Sequence, residues 1–525
     1  MTAAFKELDC LIVGSGGAAV ATAMALDRAG RRFSVLDVGF DLDGQRESDA
    51  RALASRSREA WDPETVERLF PAPQTSAEGV ERRLAFGSDH PYRIPPQLAL
   101  ALDSCALEMS HALGGFGNVW GAAVLPYHAH SLRDWPISPA ELARSYENVA
   151  RYMPISAEHD ALSEVFPIYG DRVTSLERTP QTAAMLKALD RRASSLRSRG
   201  VAFGRARVAV DSSGGGNSCR RCGYCLDGCV YGAIFNPKAL WGRLETRHQV
   251  HRGEYVLDFS ESDERVTVRT IGVADGEVRH WRARRVFIGA GQLGTTRILA
   301  RSLELFDRRI RIADSQYFFF PLLSFKGSAP SREFTLAEIF VEILNRAISE
   351  ELIHYQVYGF NRIFEQALRD QLPRFFPLSL LSRRFYLLQG YLHSRDSGHL
   401  ELTVRSEQHG DRISIKGIEN PAALGTARRS QALLRRELAR FGLIPPLFLK
   451  MVPPGRSFHT GSSFPMGASD RVFSSDSLGR PAGLRRVHIV DAACFPSIAG
   501  STILVTIMAN ADRIARETVE GLEVE

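Results

Sequence analysis

Between Glu7 and Asp37 the chain reads as strand, glycine turn, helix and second strand, an order that few folds can accommodate. Cys10–Val13 is a short apolar run led by Glu7 and Asp9, the pattern of a buried parallel strand. It enters Gly14-Ser15-Gly16-Gly17-Ala18-Ala19. Gly14 and Gly16 let the backbone turn tightly against a pyrophosphate, and Ala19 stands where a third glycine need only allow close helix–strand packing. The Ala-rich stretch 17–29 reads as a helix whose first amides face phosphates, and Gly30 stops it. Phe33-Ser34-Val35-Leu36-Asp37 reads as the second strand. Asp37 stands where an acid takes a ribose hydroxyl. The uncharged run Cys10–Leu26 also has nearly the length of a signal-peptide core or a short span. The two acids ahead of it and the glycines and alanines inside it argue against both.

At 525 residues the chain is too long for one simple core, so two domains are expected. A composition of 44% hydrophobic and 24% charged residues is ordinary for a globular protein. The net charge of +6 comes with Arg as nearly all of the basic residues. These are dispersed, with no basic stripe interleaved with aromatics, so nucleic acid is not expected as a partner. No targeting signal is read, which makes a cytoplasmic location the default. Asp211–Ser218, with three successive glycines, is the clearest loop.

Six further blocks lie in a fixed order. Leu113–Gly121 reads LGGFGNVWG, and Phe287–Thr295 reads FIGAGQLGT. Ser394–Leu402 reads SRDSGHLEL. The C-terminal blocks are Phe458-His459-Thr460-Gly461, Ile489-Val490-Asp491-Ala492 and Thr502–Ala509. With the N-terminal cradle, this set resembles the glucose–methanol–choline family of FAD-dependent alcohol oxidoreductases. The resemblance implies an α/β fold: a Rossmann-like FAD domain with a second domain on an antiparallel sheet. Residues 1–155, 201–301 and 455–525 are assigned to the first, and 156–200 and 302–454 to the second. It places Gly14, Gly16, Ala19, Asp37, Gly115, Asn118, Trp120, Gly291, Asp491 and Ala492 around FAD. Leu113–Gly121 then lies beside the flavin ring and Phe287–Thr295 returns to the cofactor. Ser394–Leu402 resembles a strand pair of the substrate domain.

Alcohol oxidation takes a hydroxyl proton and a hydride from one carbon, so the protein must supply a base. His459, in a loop, stands where the family keeps that base. Thr502, 43 residues later, stands where the family usually has a second His or Asn. A threonine hydroxyl can hydrogen-bond a substrate oxygen but cannot serve as a base. That departure admits a flavin-containing lyase or isomerase as an alternative, and a cluster-bearing electron carrier without alcohol oxidation is a third reading. A helix from Thr506 would aim its N-terminus at charge developing on the flavin.

Cys219, Cys222, Cys225 and Cys229 follow the spacing C-x2-C-x2-C-x3-C, that of bacterial ferredoxins. A 4Fe–4S cluster fits this spacing best. Zinc sites usually split two Cys pairs across a longer insert; the remaining reading is disulfides or thiols that bind no metal, and a cytoplasmic setting disfavours disulfides. Val230 replaces the proline of the ferredoxin motif, and no second run exists. A cluster near the flavin would pass single electrons to a partner protein or quinone; a remote one would be a structural staple.

Within 302–454, Tyr317–Phe320 reads as a strand and Leu336–Ile353 as an amphipathic helix. Phe375–Leu388 is apolar with embedded Arg and reads as core helix plus capping loop rather than a membrane-surface segment. The C-terminal block is similar to that of sugar-modifying branches, which points to a carbohydrate or glycoside, aminoglycosides included. A polycationic substrate would require acids in the pocket, for which Glu338 and Glu342 are the candidates.

Overall fold

The structure is a computed structural model. It describes residues 8–522 except 73–74, 77–78, 81, 331–332, 372, 374–376, 408–409 and 469–471. Three sheets carry it. The first runs, edge to edge, Glu254–Glu261, Val266–Gly272, Val278–Ile288, Leu8–Val13, Phe33–Asp37 and Gln249–Arg252, with Val487–Ile489 also paired to Val278–Ile288. Leu8–Val13 is parallel to both its neighbours. Cys10, Leu11, Ile12 and Val13 are buried, as a strand covered on both faces requires. The helix Gly17–Arg28 leaves the first strand directly, and its Ala-rich surface lets it pack against the C-terminal helix Leu504–Leu522. Asp512 of that helix ties the bundle together. It pairs with Arg28 and accepts from Ser145 Oγ at 2.8 Å and Asn148 Nδ2 at 2.9 Å, both on the helix Pro139–Ala150.

The second sheet joins Ile310–Asp314, His399–Glu407, Gly410–Ile418, Leu98–Asp103 and the short pair Thr460–Gly461. The third is antiparallel and contains Val201–Arg205, Tyr317–Ser324, Ile339–Ile343, Ile353–Gly359 and Phe385–Tyr391, with Leu443–Ile444 and Lys450–Met451. Alternation assigns its two faces. Phe318, Phe320 and Leu322 pack behind it on the helices Pro180–Asp190 and Ala423–Leu438, whereas Tyr317, Phe319 and Pro321 face a cavity. The α/β class, with one mixed sheet built on a parallel core and one antiparallel sheet, is therefore observed. Val201–Arg205, expected with the nucleotide part, pairs with Ile339–Ile343 of the third sheet.

Three local expectations are corrected. Leu336–Ile353 is not a helix: Ile339–Ile343 is a strand, and Ile353 opens the next one. Ile339, Val341 and Ile343 enter one core while Phe340 enters another. Burial on both faces erases the alternation that would have marked a strand. The C-terminal helix begins at Leu504 rather than Thr506. Ser394–Gly398 is a turn leading into His399–Glu407 rather than a strand pair. Of the apolar stretch 375–388, Phe375 and Phe376 lie outside the described residues; the remainder holds the short helix Leu378–Ser382 and most of the strand Phe385–Tyr391. Among the described residues no helix is long and apolar enough to cross a membrane.

Candidate active site and cysteine-lined hollow

A cavity of about 1990 Å³ runs from the N-terminal cradle to the face of the third sheet. Single ligand pockets measure roughly 300–1,000 Å³, so this one has room for a dinucleotide and a further small molecule. At one end lie Gly14, Gly16 and Asp37. Gly14 has φ +99°, and a Cβ there would stand 2.3 Å from the Gly289 carbonyl oxygen, which only glycine tolerates. Gly14→Ala is therefore expected to cost at least about 1–3 kcal/mol, read as a lower melting temperature. An unchanged melting temperature would show that the turn is not held as described.

Asp37 is buried and accepts from the Gly39 amide at 2.6 Å. Burial raises its pKa to about 7, against the lowering effects of Ser15, Gly39 and Arg252. Ser15, not anticipated from the motif, links two loops. Its Oγ accepts from the Gly114 amide at 2.9 Å, while its carbonyl accepts from Trp241 Nε1 at 2.8 Å. Gly114 sits at φ +86° and passes so close to Asn236 and Lys238 that a Cβ would meet them within 3.0 Å. Gly115, Trp120, Gly291, Asp491 and Ala492 also line the cavity. Asp491 accepts from Thr295 Oγ1 at 2.5 Å and the Ala493 amide at 2.9 Å. Burial lifts its pKa to about 6.

Two residues expected near the cofactor, Asn118 and Ala19, are not in the cavity lining. Asn118 does not line the cavity: its amide donates to the Leu113 and Gly115 carbonyls at 3.0 and 2.8 Å and its Oδ1 accepts from Asn236. It holds the loop closed from behind. Ala19 lies under the turn, where its amide nitrogen stands 3.3 Å from the site of a Gly289 Cβ, which is the packing role assigned to it.

His459 lies at the other end. It follows Phe458, one of two non-glycine left-handed residues flanking it, the other being Ser462 (φ +59° and +63°). The segment is held in this costly shape by a cluster around buried Asp314, which accepts from the Gly455 amide at 2.9 Å and Ser457 Oγ at 2.7 Å. Ser457 Oγ in turn accepts from the His459 amide at 2.9 Å. The His459 ring stacks on Tyr391, centroids 5.1 Å apart, and its Nδ1 has no hydrogen-bond partner in the protein. Desolvation, with the charge of His354 added, pushes its pKa down to about 4. The imidazole is thus neutral at pH 7, with proton-accepting capacity. Thr502 also lines the cavity, but its oxygen accepts from the Leu125 amide at 2.7 Å. Ile503, Leu504 and Ile507 at the start of the C-terminal helix complete the wall.

Glu338 and Glu342, the acids considered for a polycationic substrate, do not line the cavity. Glu338 binds Arg205 and Thr179 Oγ1, and Glu342 binds His354 Nδ1 at 2.8 Å. Arg83, Tyr391, Lys450 and Arg456 do line it. No local sequence signal marks them, since their shared position arises only from the third sheet and the loop before His459.

The four clustered cysteines surround a separate small hollow with Val210, Tyr231, Ile234 and Phe334. All seven cysteines are free thiols. Among the described residues, no group of three or more His, Cys, Asp or Glu side chains is placed to grip a metal ion. The backbone nevertheless turns donors toward the sulfurs. Amides of Arg221, Tyr224 and Thr335 point to Cys219, Cys222 and Cys225 respectively. Arg221, Gly223 and Gly228 take left-handed conformations that wrap the segment. Burial raises the thiols of Cys219, Cys222 and Cys225, that of Cys222 to about 11. Leu226 and Asp227, directly after Cys225, line the large cavity, so hollow and cavity share a wall.

The fold is an α/β architecture of two sheet systems around one large cavity. Among solved structures the chain is similar to pyridoxine 4-oxidase from Mesorbium loti, with a TM-score of 0.60 and 15% identity over 98% of this chain and 99% of that one. The likeness shows the fold. No protein-family profile matches the chain, and no curated protein matches it by sequence.

Proposed function

We propose that the chain is an FAD-dependent oxidoreductase that converts an alcohol to a carbonyl, with His459 as base. The observation that carries this is the single cavity that joins a dinucleotide cradle at Gly14 and Asp37 to His459 under an aromatic sheet face. Its volume leaves space for substrate beside FAD. Gly14, Gly16 and the first turn of Gly17–Arg28 would hold the pyrophosphate, Asp37 a ribose hydroxyl, and the loop from Gly115 to Trp120 the ring. FAD supplies a hydride acceptor. His459 Nδ1 or Nε2 takes the hydroxyl proton, the hydroxyl of Thr502 faces the same space, and Tyr391 holds the imidazole by stacking. The sheet face, with Tyr317, Phe319, Gln356, Tyr358 and Gln389, shields the reacting carbon from water. Aromatic rings beside two amides suit a carbohydrate or glycoside hydroxyl.

Cys219, Cys222, Cys225 and Cys229 would hold a 4Fe–4S cluster. The N–H groups aimed at three of the sulfurs are the donors that thiolate ligands of such clusters use. A cluster there would supply a one-electron carrier and favour a protein or quinone acceptor over oxygen. The test is an absorption spectrum of anaerobically purified protein with iron and acid-labile sulfide assayed on the same sample. Flavin bands with about four iron per chain support both cofactors. Flavin without iron removes the cluster and turns the acceptor toward oxygen, and absence of flavin removes the whole reading.

The pKa of Asp37 gives a further expectation. A ribose hydroxyl donates to the carboxylate, so FAD binding favours deprotonation. Affinity should therefore rise with pH until about 7, by up to about tenfold per unit below that value, and level off above it. Asp37→Asn should flatten the profile in a flavin-fluorescence titration. A pH-independent wild-type affinity would mean that Asp37 does not bind the cofactor.

A further inference from the structure

We propose that the outer end of the third sheet, where the cavity opens, is a docking face for the surface of an anionic lipid bilayer. Leu323, Phe325, Leu380, Leu447 and Phe448 enter the headgroup layer, and Lys326, Arg383 and Arg384 meet its negative charge. The face does not depend on the chemistry at His459.

Folded chains expose single apolar side chains all over their surface, so only a cluster carries meaning. Three separate segments build one here. The strand Tyr317–Ser324 is flanked by Phe385–Tyr391 on one side and by Leu443–Ile444 and Lys450–Met451 on the other. Leu323 stands between Phe385 and Ile444 in register. The Phe325 amide donates to the Gly442 carbonyl at 2.7 Å, and the Phe325 ring lies 3.0 Å from where a Gly442 Cβ would stand. Leu447 and Phe448 lie in the link between the two short strands. Gln431 Nε2 holds that link by donating to the Pro446 and Phe448 carbonyls at 3.0 and 2.9 Å. Leu380, on the helix Leu378–Ser382, is tied to the same end through Arg384. Arg384 Nη1 donates to the Leu380 carbonyl at 3.3 Å, and the Arg384 carbonyl accepts from the Ser324 amide at 2.8 Å.

Leu447 is 79% exposed, Phe325 70%, Leu380 58% and Phe448 56%. These are the four most exposed large apolar side chains among the described residues, and all belong to this one end. Phe448 also lines the cavity, as do Phe385, Leu387, and Phe364, Ala367 and Leu368 of the helix Arg362–Gln371. The cluster is therefore the outer lip of an apolar wall that continues inward.

Charge selects the occupant. The segments 317–330, 377–391 and 438–451 contain five basic residues and no Asp or Glu. Gly327 brings Arg383 and Arg384 beside Lys326: a Cβ on Gly327 would stand 3.5 Å from Arg383 Nε and 3.6 Å from Arg384 Nη1. The helix Arg362–Gln371, packed against Leu378–Ser382, has Glu365 paired with Arg369 at 2.6 Å and Asp370 accepting from Gln366 at 2.9 Å. An anionic bilayer satisfies both halves of the face. Its acyl boundary takes apolar side chains at loop tips, and its headgroups take Lys and Arg. A second copy fits less well, because a two-fold contact would set these cations against their own equivalents. Docked this way, the cavity opens toward the bilayer, and an apolar molecule dissolved there reaches Phe448 without crossing water.

The test is co-sedimentation of the full chain with vesicles of phosphatidylcholine alone and of an equal mixture with phosphatidylglycerol. Binding to the mixed vesicles should be at least about tenfold tighter and should weaken as salt is added. Phe325→Ser combined with Leu447→Ser should lower it at least about tenfold. Lys326→Gln combined with Arg383→Gln should bring it down to the level seen on phosphatidylcholine. All four side chains are exposed, so the melting temperature should hold, and either pair tests the face should the other fold poorly. Equal binding to both vesicles, binding to neither, or binding to the mixed vesicles that both pairs leave intact overturns the proposal. Sedimentation velocity without lipid covers a different occupant. Self-association that Phe325→Ser with Leu447→Ser abolishes, in a protein that binds no vesicle, assigns the face to a second copy and overturns the bilayer.

Discussion

Replacing His459 by alanine should slow reduction of the flavin by substrate about 10²–10⁴-fold and leave FAD bound. The size of the effect follows from the absence of a substitute. Thr502 cannot act as a base, and its oxygen already accepts from the Leu125 amide. Tyr391 is buried with its pKa raised far above the ordinary phenol value, so it stays protonated at working pH. The pH dependence carries the same signature. Because His459 titrates near 4, the base is neutral across the neutral range, and kcat/KM should fall only as pH drops toward and below about 4, by about tenfold per unit. The same shift acts on stability. An unfolded histidine with pKa near 6.5 binds more protons than the native one between 6.5 and 4, so this residue's contribution declines as pH falls through that window. His459→Ala should remove that part of the acid sensitivity. Stopped-flow bleaching of the flavin under anaerobic conditions decides the matter: a variant that still bleaches at the wild-type rate cannot have lost its base.

The second large effect belongs to the cysteines. If the four cysteines hold the proposed cluster, Cys225→Ser is expected to lower the iron content from about four per chain toward none, with loss of the broad absorbance near about 400 nm. Flavin reduction by substrate should persist, because the hollow lies behind the cavity wall and not within the cavity. Turnover with a protein or quinone acceptor should fail, which separates the two half-reactions. Cys222 is the less clean position, since it also packs in an aromatic cluster with Trp61, Phe70 and Tyr231. Its loss would combine ligand removal with a packing defect. Wild-type protein that contains no iron when isolated without oxygen would falsify the cluster and leave the four thiols as buried packing.

Much of the nucleotide half of the fold was readable from the chain. Leu8–Val13, the Gly14 turn, Gly17–Arg28 and Phe33–Asp37 form a local unit whose every step has a residue-level cause. Gly14, Gly16, Asp37, Gly115, Trp120, Gly291, Asp491, Ala492, His459 and Thr502 all reach one cavity. For Asn118 the sequence marks the loop but not which way its amide points. The substrate half was far less legible. A strand such as Ile339–Ile343, buried on both faces, has no alternation to betray it, and Glu338 and Glu342 looked available when they were already paired.

Local chemistry therefore determined by itself the cradle and the cysteine spacing, because each depends on neighbours a few residues away, whereas the loop that bears His459 is held by the distant Asp314. The gathering of Arg83, Lys450 and Arg456 around Tyr317 and Tyr391 was decided only by tertiary structure. So was the placement of the cysteine hollow directly behind the cavity wall. Those groups come from distant parts of the chain and share a space because strand pairing in the third sheet, a nonlocal interaction, sets which side chains face inward.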